Sequence, residues 1–342
     1  MNTKFTLLPL ALLLLNLSCI NRDNDNNHHL AYVDFPETIS VQSEVLELGE
    51  GSAFVFPSDI EVVEEDLFIF DRELPDSYVK RYNRHTRELI GSYGRQGRSS
   101  EEFRLPEKMV ADGNSLKIFD AVSPKFVQFD LQANSIKDVV NLNSRTIPML
   151  GATLIKDSLI AFSDITSNKL LVIQDFNGQI VDSVMVEYKR DLKSTREDPY
   201  QLFDVEIAYD DASNTLVAAS KLNEMICIYD LNTKGCRVVV GPIGVPQMGS
   251  EESMEDILGT HSGFLSVKIH ENKIYALFSG ESMDKYMSNS IYGAFNIYVF
   301  DMEGNPIQHI KLDQPTAGFA IYDDLLYLIN VNSEHPISIS KI

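Results

Sequence analysis

The 342-residue chain contains no tryptophan, only three cysteines, and 29 basic residues against 50 acidic ones. Each shortage excludes something. Three cysteines cannot build a disulfide scaffold or a four-thiolate zinc site. A formal charge of −21 leaves nucleic acid without the basic field that phosphate binding needs. Without tryptophan, a sugar-stacking platform would have to rest on the fourteen tyrosines. There is no P-loop, GxSxG elbow, HExxH or CxxC motif. Long helical periods are missing too. What is present is 44% hydrophobic sequence, enough for a sizeable core and too much for bulk disorder.

The first 18 residues read as an export signal. Lys4 precedes an almost unbroken apolar run from Phe5 to Leu15, too short for a comfortable bilayer span. The run ends at Leu17-Ser18-Cys19, which resembles the lipobox of bacterial lipoproteins and makes Cys19 the candidate lipidated first residue. Asn16 departs from that pattern, which prefers Leu there. Removing the signal deletes one charged residue, Lys4, and takes the net charge from −21 to −22. Residues 19–38 are expected to form a polar tether, with residues 39–342 as the folded domain. Membrane attachment would be through the N-terminal lipid alone.

Beyond residue 39 short runs of Ile, Val, Phe and Tyr alternate with Asp, Asn and Gly turns, the pattern of an all-β chain. One strand recurs as LFIFD from Leu67, LKIFD from Leu116, LIAFSD from Leu159, LVAAS from Leu216, IYALFSG from Ile274 and LLYLIN from Leu325. A second recurrent strand follows it, as in FVQFDLQANS, LLVIQDFNGQ, MICIYDLNTKG and NIYVFDMEGN. Six such units predict a six-bladed β-propeller of four-stranded blades. The last unit lacks a strand, and Ile39 to Leu48 is a spare one that would close the ring beside Pro336 to Ile342.

The stretch GRQGRSSEEFRLPEKMVADGNSLKIFD from Gly94, followed by FVQFDL, resembles an NHL-type blade. The chain as a whole resembles the six-bladed TolB-like propeller lipoproteins of Bacteroidetes. That resemblance implies a cell-envelope location, lipid-anchored at the outer membrane on its periplasmic or surface side. It implies a scaffold and no particular reaction.

Blade topology then assigns faces. The turns between first and second strands are tight, as are those between third and fourth. The long insertions, Gly94 to Phe103, Glu187 to Tyr200, Gly241 to Gly263 and Ser279 to Phe295, all fall on the opposite face, which becomes the candidate binding face. Its candidate contact residues are Arg95, Arg98, Lys189, Arg190, Tyr200, His261 and Tyr286. Glu61, Glu64, Glu65 and Asp66, on the other face, read as a solvated edge. Asp59, Glu107 and Asp204 stand near strand starts and could project into the axial channel, where some six-bladed propellers hold calcium. Cys227 and Cys236 flank the turn LNTKG. A symmetric hairpin would oppose them as a possible disulfide, whereas a bulge at Gly235 would send them to opposite faces.

These residues fit a non-catalytic binding module that engages a protein or small polar ligand through its long loops. The alternative is a metal-dependent hydrolase or lactonase-like enzyme of the axial channel, with no catalytic residues or metal ligands nameable from sequence. A third possibility is a part of an envelope assembly, docking through an apolar patch around Ile243 to Met248.

Overall fold

In a computed structural model, which describes residues 27–143, 149–164, 169–185, 204–244, 260–288 and 292–342, the apolar runs become the second strands of six blades. Three short strands come first: β1 (Asn27–Ala31), β2 (Thr38–Ser40) and β3 (Glu44–Val45). Blade 1 comprises β4 (Pro57–Val63), β5 (Asp66–Asp71), β6 (Val79–Asn83) and β7 (Leu89–Tyr93). Blade 2 comprises β8 (Pro106–Asp112), β9 (Ser115–Asp120), β10 (Lys125–Asp130) and β11 (Ser135–Asn141). Blade 3 comprises β12 (Leu150–Ile155), β13 (Leu159–Asp164), β14 (Lys169–Asp175) and β15 (Ile180–Val184). In blade 4 these are β16 (Val205–Asp210), β17 (Thr215–Ser220), β18 (Met225–Asp230) and β19 (Gly235–Val240). Blade 5 has β20 (Phe264–His270), β21 (Lys273–Phe278), β22 (Ala294–Asp301) and β23 (Pro306–Thr316). Blade 6 has β24 (Gly318–Tyr322), β25 (Leu325–Ile329) and β26 (Ile337–Lys341), with β3 as its fourth strand.

There is a separate core at each blade junction. In β5, Phe68 and Phe70 pack against blade 2 while Leu67 and Ile69 pack against blade 6. In β17, Leu216 and Ala218 face blade 3, and Val217 and Ala219 face blade 5. Alternate residues therefore enter different cores, and a strand buried on both sides reads as a continuous apolar run. Turn chemistry is repeated as well. Asn83, Asp130, Asp175, Asp230 and Asp301 end the third strands of blades 1 to 5. The side-chain Oδ1 of each accepts two backbone N–H bonds from the following turn, at 2.8–3.3 Å. A side chain that satisfies its own turn fixes where the strand stops.

The aspartate closing LFIFD and LKIFD has a different role. Asp71 accepts N–H bonds from Val55, Phe56 and Glu73, and Asp120 from Arg104, Leu105, Val122 and Ser123. Each binds the crossover arriving from the preceding blade to the loop leaving its own. Lys80 and Lys125 do the complementary work: Lys80 donates to Gly51 and Ala53 carbonyls, and Lys125 to those of Ser99, Ser100 and Glu102. Burial pulls both ammonium groups below the usual lysine range.

The N-terminal segment departs from the sequence reading in two ways. The expected closing strand splits in two: β2 adds parallel to β23 on the rim of blade 5, and β3 pairs antiparallel with β26 in blade 6. The expected tether is also shorter, because β1 adds parallel to β19 on the rim of blade 4. Tyr32 then turns inward, and its hydroxyl donates to Glu224 Oε1 at 2.6 Å inside the blade 4–5 core. Phe35 packs on Tyr298 and Phe300. An apolar and aromatic cluster at Leu30, Tyr32 and Phe35 is what converts polar sequence into a strap.

The cysteine register differs as well. Asp230 caps Asn232 and Thr233, and Lys234 takes a left-handed φ of 60°, so the hairpin loop holds four residues and β18 slides two positions along β19. Cys227 lies opposite Val238 and Cys236 opposite Tyr229. The two cysteines are diagonal neighbours on one face, both in the core between blades 3 and 4.

Deleting residues 27–48 removes the blade 6 closing strand and both rim strands. The melting temperature is expected to drop by about 5 °C or more, on a scale of about 2–4 °C per kcal/mol. The bared edges of β23 and β26 should raise light scattering on heating. A deletion variant that melts cooperatively at the parental temperature would contradict this account of closure.

Candidate functional site

The first strands of the blades line the axis, and the sequence loads four of them with charge. Blade 1 contributes Asp59 and Glu61, blade 2 Glu107 and Lys108, blade 4 Glu206 and blade 5 Lys268. The remaining two blades contribute small residues there, Gly151 from blade 3 and Ala317 at the start of blade 6. These two blades stand opposite each other in the ring. A Cβ on Gly151, which has a φ of 59°, would lie 2.1 Å from the Val205 carbonyl oxygen, so backbone contact requires glycine there.

The room left is filled by ion pairs, and those of Lys268 and the Lys108–Glu206 pair skip a blade. Lys268 of blade 5 reaches Asp59 of blade 1 at 2.9 Å and Glu61 at 3.8 Å. Lys108 of blade 2 lies 3.4 Å from Asp59 and 4.0 Å from Glu206 of blade 4. Lys221, from the loop after β17, binds Asp204 at 3.0 Å and Glu206 at 3.1 Å, and Arg72, from the loop after β5, reaches Glu107 at 3.5 Å. Glu61 also accepts the Ala111 N–H at 2.7 Å. The Asp59, Glu61, Lys108, Lys268 and Glu206 side chains keep 12–21% exposure, which marks a narrow channel instead of a dry core.

Burial and charge compete in this cluster. Burial pushes Asp59 upward, but Lys108 and Lys268 together outweigh it and hold the carboxyl below its ordinary range. Glu61 goes the other way: burial raises it, Asp59 adds to the rise, and the pull of Lys268 does not compensate. Burial also raises Glu107 despite Arg72. Lys108 stays above the normal lysine range because Asp59, Glu206 and Glu61 outweigh its desolvation.

Above this cluster a depression of about 120 Å³ opens, lined by the starts of the first strands and by Arg72, Lys221 and Tyr292 from loops after second strands. First strands start on the face that carries the crossovers, so the depression opens on the expected binding face. Tyr292 stacks near Phe56, its ring 5.2 Å away, and Tyr286 lies beside it at 5.8 Å on α1 (Met283–Ser288), a single short helix turn that no sequence period announces. Burial, with Tyr292 adding, raises the Tyr286 phenol well above its usual range.

Other expected site residues are distributed differently. Arg95 pairs with Glu102 at 3.1 Å on the rim, and Arg98 is exposed. Their crossover is a built loop: Phe103 is buried, and the Glu102 carboxylate accepts the Ser99 and Arg98 N–H groups, which holds it below its usual range. His261 serves by its backbone, exchanging bonds with Asn223. Lys189, Arg190 and Tyr200 lie outside the described residues, as do Cys19 and most of the Ile243 to Met248 patch. Ile243 itself packs against the blade 4–5 core.

Of the acids expected at the axis, Asp59 and Glu107 line the depression, while Asp204 stands beside it with Lys221. Glu61 is a correction: it belongs to the axis, not to a solvated edge, and Asp66 pairs with Arg81 at 2.6 Å. Lys108, Lys268, Glu206, Lys221 and Arg72 escaped sequence reading. Their signal was charge on the first strands at Lys108, Glu206 and Lys268, and nothing local at Arg72 and Lys221. Among the described residues no group of three His, Cys, Asp or Glu side chains is arranged to hold a metal. The axial carboxylates are taken up by lysine and arginine side chains, which does not fit the calcium cage considered from sequence.

A model of TolB-like six-bladed propellers matches residues 34–324. The chain belongs to that family. Two solved structures share its fold. One is a Bacteroides fragilis protein described as exported, with a TM-score of 0.57 at 13% identity, covering 91% of this chain and 98% of that one. The other is a member of the DUF4221 family from Bacteroides vulgatus, with a TM-score of 0.56 at 12% identity, covering 88% and 97%. No curated protein matches this TolB-like chain in sequence.

Lys108→Met tests the axial network. Asp59 would keep Lys268 but lose its second cation, so the cost should stay below that of a buried carboxylate left with no partner, about 3–5 kcal/mol. Because the folded Asp59 pKa is depressed, the contribution it makes is present above the unfolded value and lost as pH falls through the folded one. Chemical denaturation should therefore show the largest gap between variant and parent at neutral pH. The gap should narrow below about pH 4. An equal gap at pH 7 and pH 3 would remove Asp59 as its cause.

Proposed function

We propose that this protein is a lipid-anchored envelope propeller that acts as a non-catalytic binding module, taking a protein or a small polar ligand on its long-loop face. The observation that carries this reading is the axial depression. It opens on the same side as Gly94 to Phe103 and α1, and presents Arg72, Glu107, Lys221 and Tyr292 together. Cations and carboxylates side by side in a half-wet recess suit a partner carrying both charges, such as a zwitterion or a polar side-chain cluster.

The path of the N-terminus supports the anchoring part. β1 runs parallel to β19, and β19 starts at the tight turn after Asp230. The chain therefore enters blade 4 from the short-turn face. The eight residue-to-residue steps from Cys19 to Asn27 can span at most about 26–29 Å. A lipid on Cys19 would keep the short-turn face toward the membrane and leave the long-loop face free. The exported description of the Bacteroides fragilis neighbour agrees with an envelope location.

Cross-linking in native membranes would capture the partner, and two variants locate its site. Arg95→Glu with Arg98→Glu changes exposed charge on the long-loop face and should barely move the melting temperature. Loss of one charge-assisted contact of about 1.5–3 kcal/mol should weaken binding about tenfold or more. Glu64→Lys with Glu65→Lys on the short-turn face should leave binding nearly intact. The reverse pattern would put the binding face on the other side.

A further inference from the structure

We infer that Cys227 and Cys236 are placed to close into a disulfide under oxidising conditions, stapling β18 to β19 where the N-terminal strap is seated. The Sγ atoms lie 2.7 Å apart. That is inside the contact distance of two unbonded sulfurs and a short movement from a bond of about 2.03–2.05 Å. The diagonal register keeps both side chains on one face, as the symmetric hairpin would and the bulged one would not. Both are buried, at 0% and 3% exposure, among apolar side chains of blades 3 and 4. The only other cysteine of the chain is Cys19, which lies outside the described residues, so among those each has a single possible partner.

The position gives the bond a mechanical meaning. Asn27 of β1 pairs with Cys236 itself, so the first ladder position of the strap sits on one half of the pair. A force entering through the N-terminus passes from β1 to β19 and next to β18. A covalent link at the start of that path keeps β19 from being peeled off the blade. In forming it, each thiol loses a proton and the pair gives two electrons to an incoming disulfide, that of an oxidoreductase or of a small disulfide molecule, which leaves as two thiols. Because both sulfurs are enclosed in the folded ring, the exchange belongs to the folding chain, before blades 3 and 4 pack.

The inference rests on the export reading only for the compartment in which oxidation occurs, and two preparations separate the matters. The mature chain is unfolded, refolded in a glutathione redox buffer, isolated as monomer and alkylated in denaturant without reductant. Peptide mass spectrometry should find Cys227 and Cys236 linked and resistant to alkylation until reduced. Reduction should lower the denaturation midpoint of this protein and leave that of Cys227→Ala with Cys236→Ala unmoved. Full alkylation of both cysteines in the refolded monomer overturns the inference. Alkylation of both in protein taken from cells, with linkage after refolding, supports the pairing and overturns export to an oxidising compartment.

Discussion

Closure of the ring depends on a very short ladder. Glu44 and Val45 pair with Ile339 and Ser338, and Leu46 donates its N–H to Ile337. So few bonds would fray if they stood alone, and they are reinforced by the segment that delivers them. Residues 27–41 first grip the rim of blade 4, bury Tyr32 against Glu224, stack Phe35 on blade 5 and add β2 to β23. Half the ring is thereby laced from outside by one continuous stretch of chain. Parallel addition is the weaker form of pairing, and the buried Tyr32 hydroxyl bond gives it a fixed point. Burial raises the Glu224 carboxyl even with that bond in place, so its charge is held there at some cost.

Between closure and axis, the blades hold themselves by local rules applied again and again. Asx turns end the third strands, and Asp71 and Asp120 tie crossover to loop. Lys80 and Lys125 close the same junctions with an opposite charge and the carbonyls of the crossover. Phe54 and Phe103 lie under these two lysines, 4.9 and 5.7 Å from ring centre to Nζ, so the cations rest on aromatic faces while their protons are taken by backbone oxygens. Each junction is thus a small polar knot at the edge of an apolar core.

Much of this was legible in the sequence, for stated reasons. Blade number could be read because second strands are buried on both faces and appear as unbroken apolar runs, and because turn aspartates recur after third strands. Tight turns against long crossovers identified the face on which the depression opens. The strap could not be read, because NHHLA and TIS carry no period and their partners lie more than 200 residues away. The cysteine register failed on the side chain of Asp230, which lengthens a turn that letters alone leave symmetric. The axial pairs were hidden for a further reason. A charge in a strand resembles a solvent-facing residue, and what it meets is set by other blades, some of them not its neighbours.

That arrangement limits how such a chain can diverge internally. Six blades descended from repeated units should look alike strand by strand, and their second and third strands do. The first strands do not: PSDIEVV, PEKMVAD, VEIAYD and FLSVKIH share little. Around a common axis each first strand meets its own set of partners, and a charge gained on one is tolerated when an opposite charge appears on another blade. Symmetry is therefore lost at the centre of the disc sooner than at its middle, and the innermost strands are the ones that give each blade its own identity.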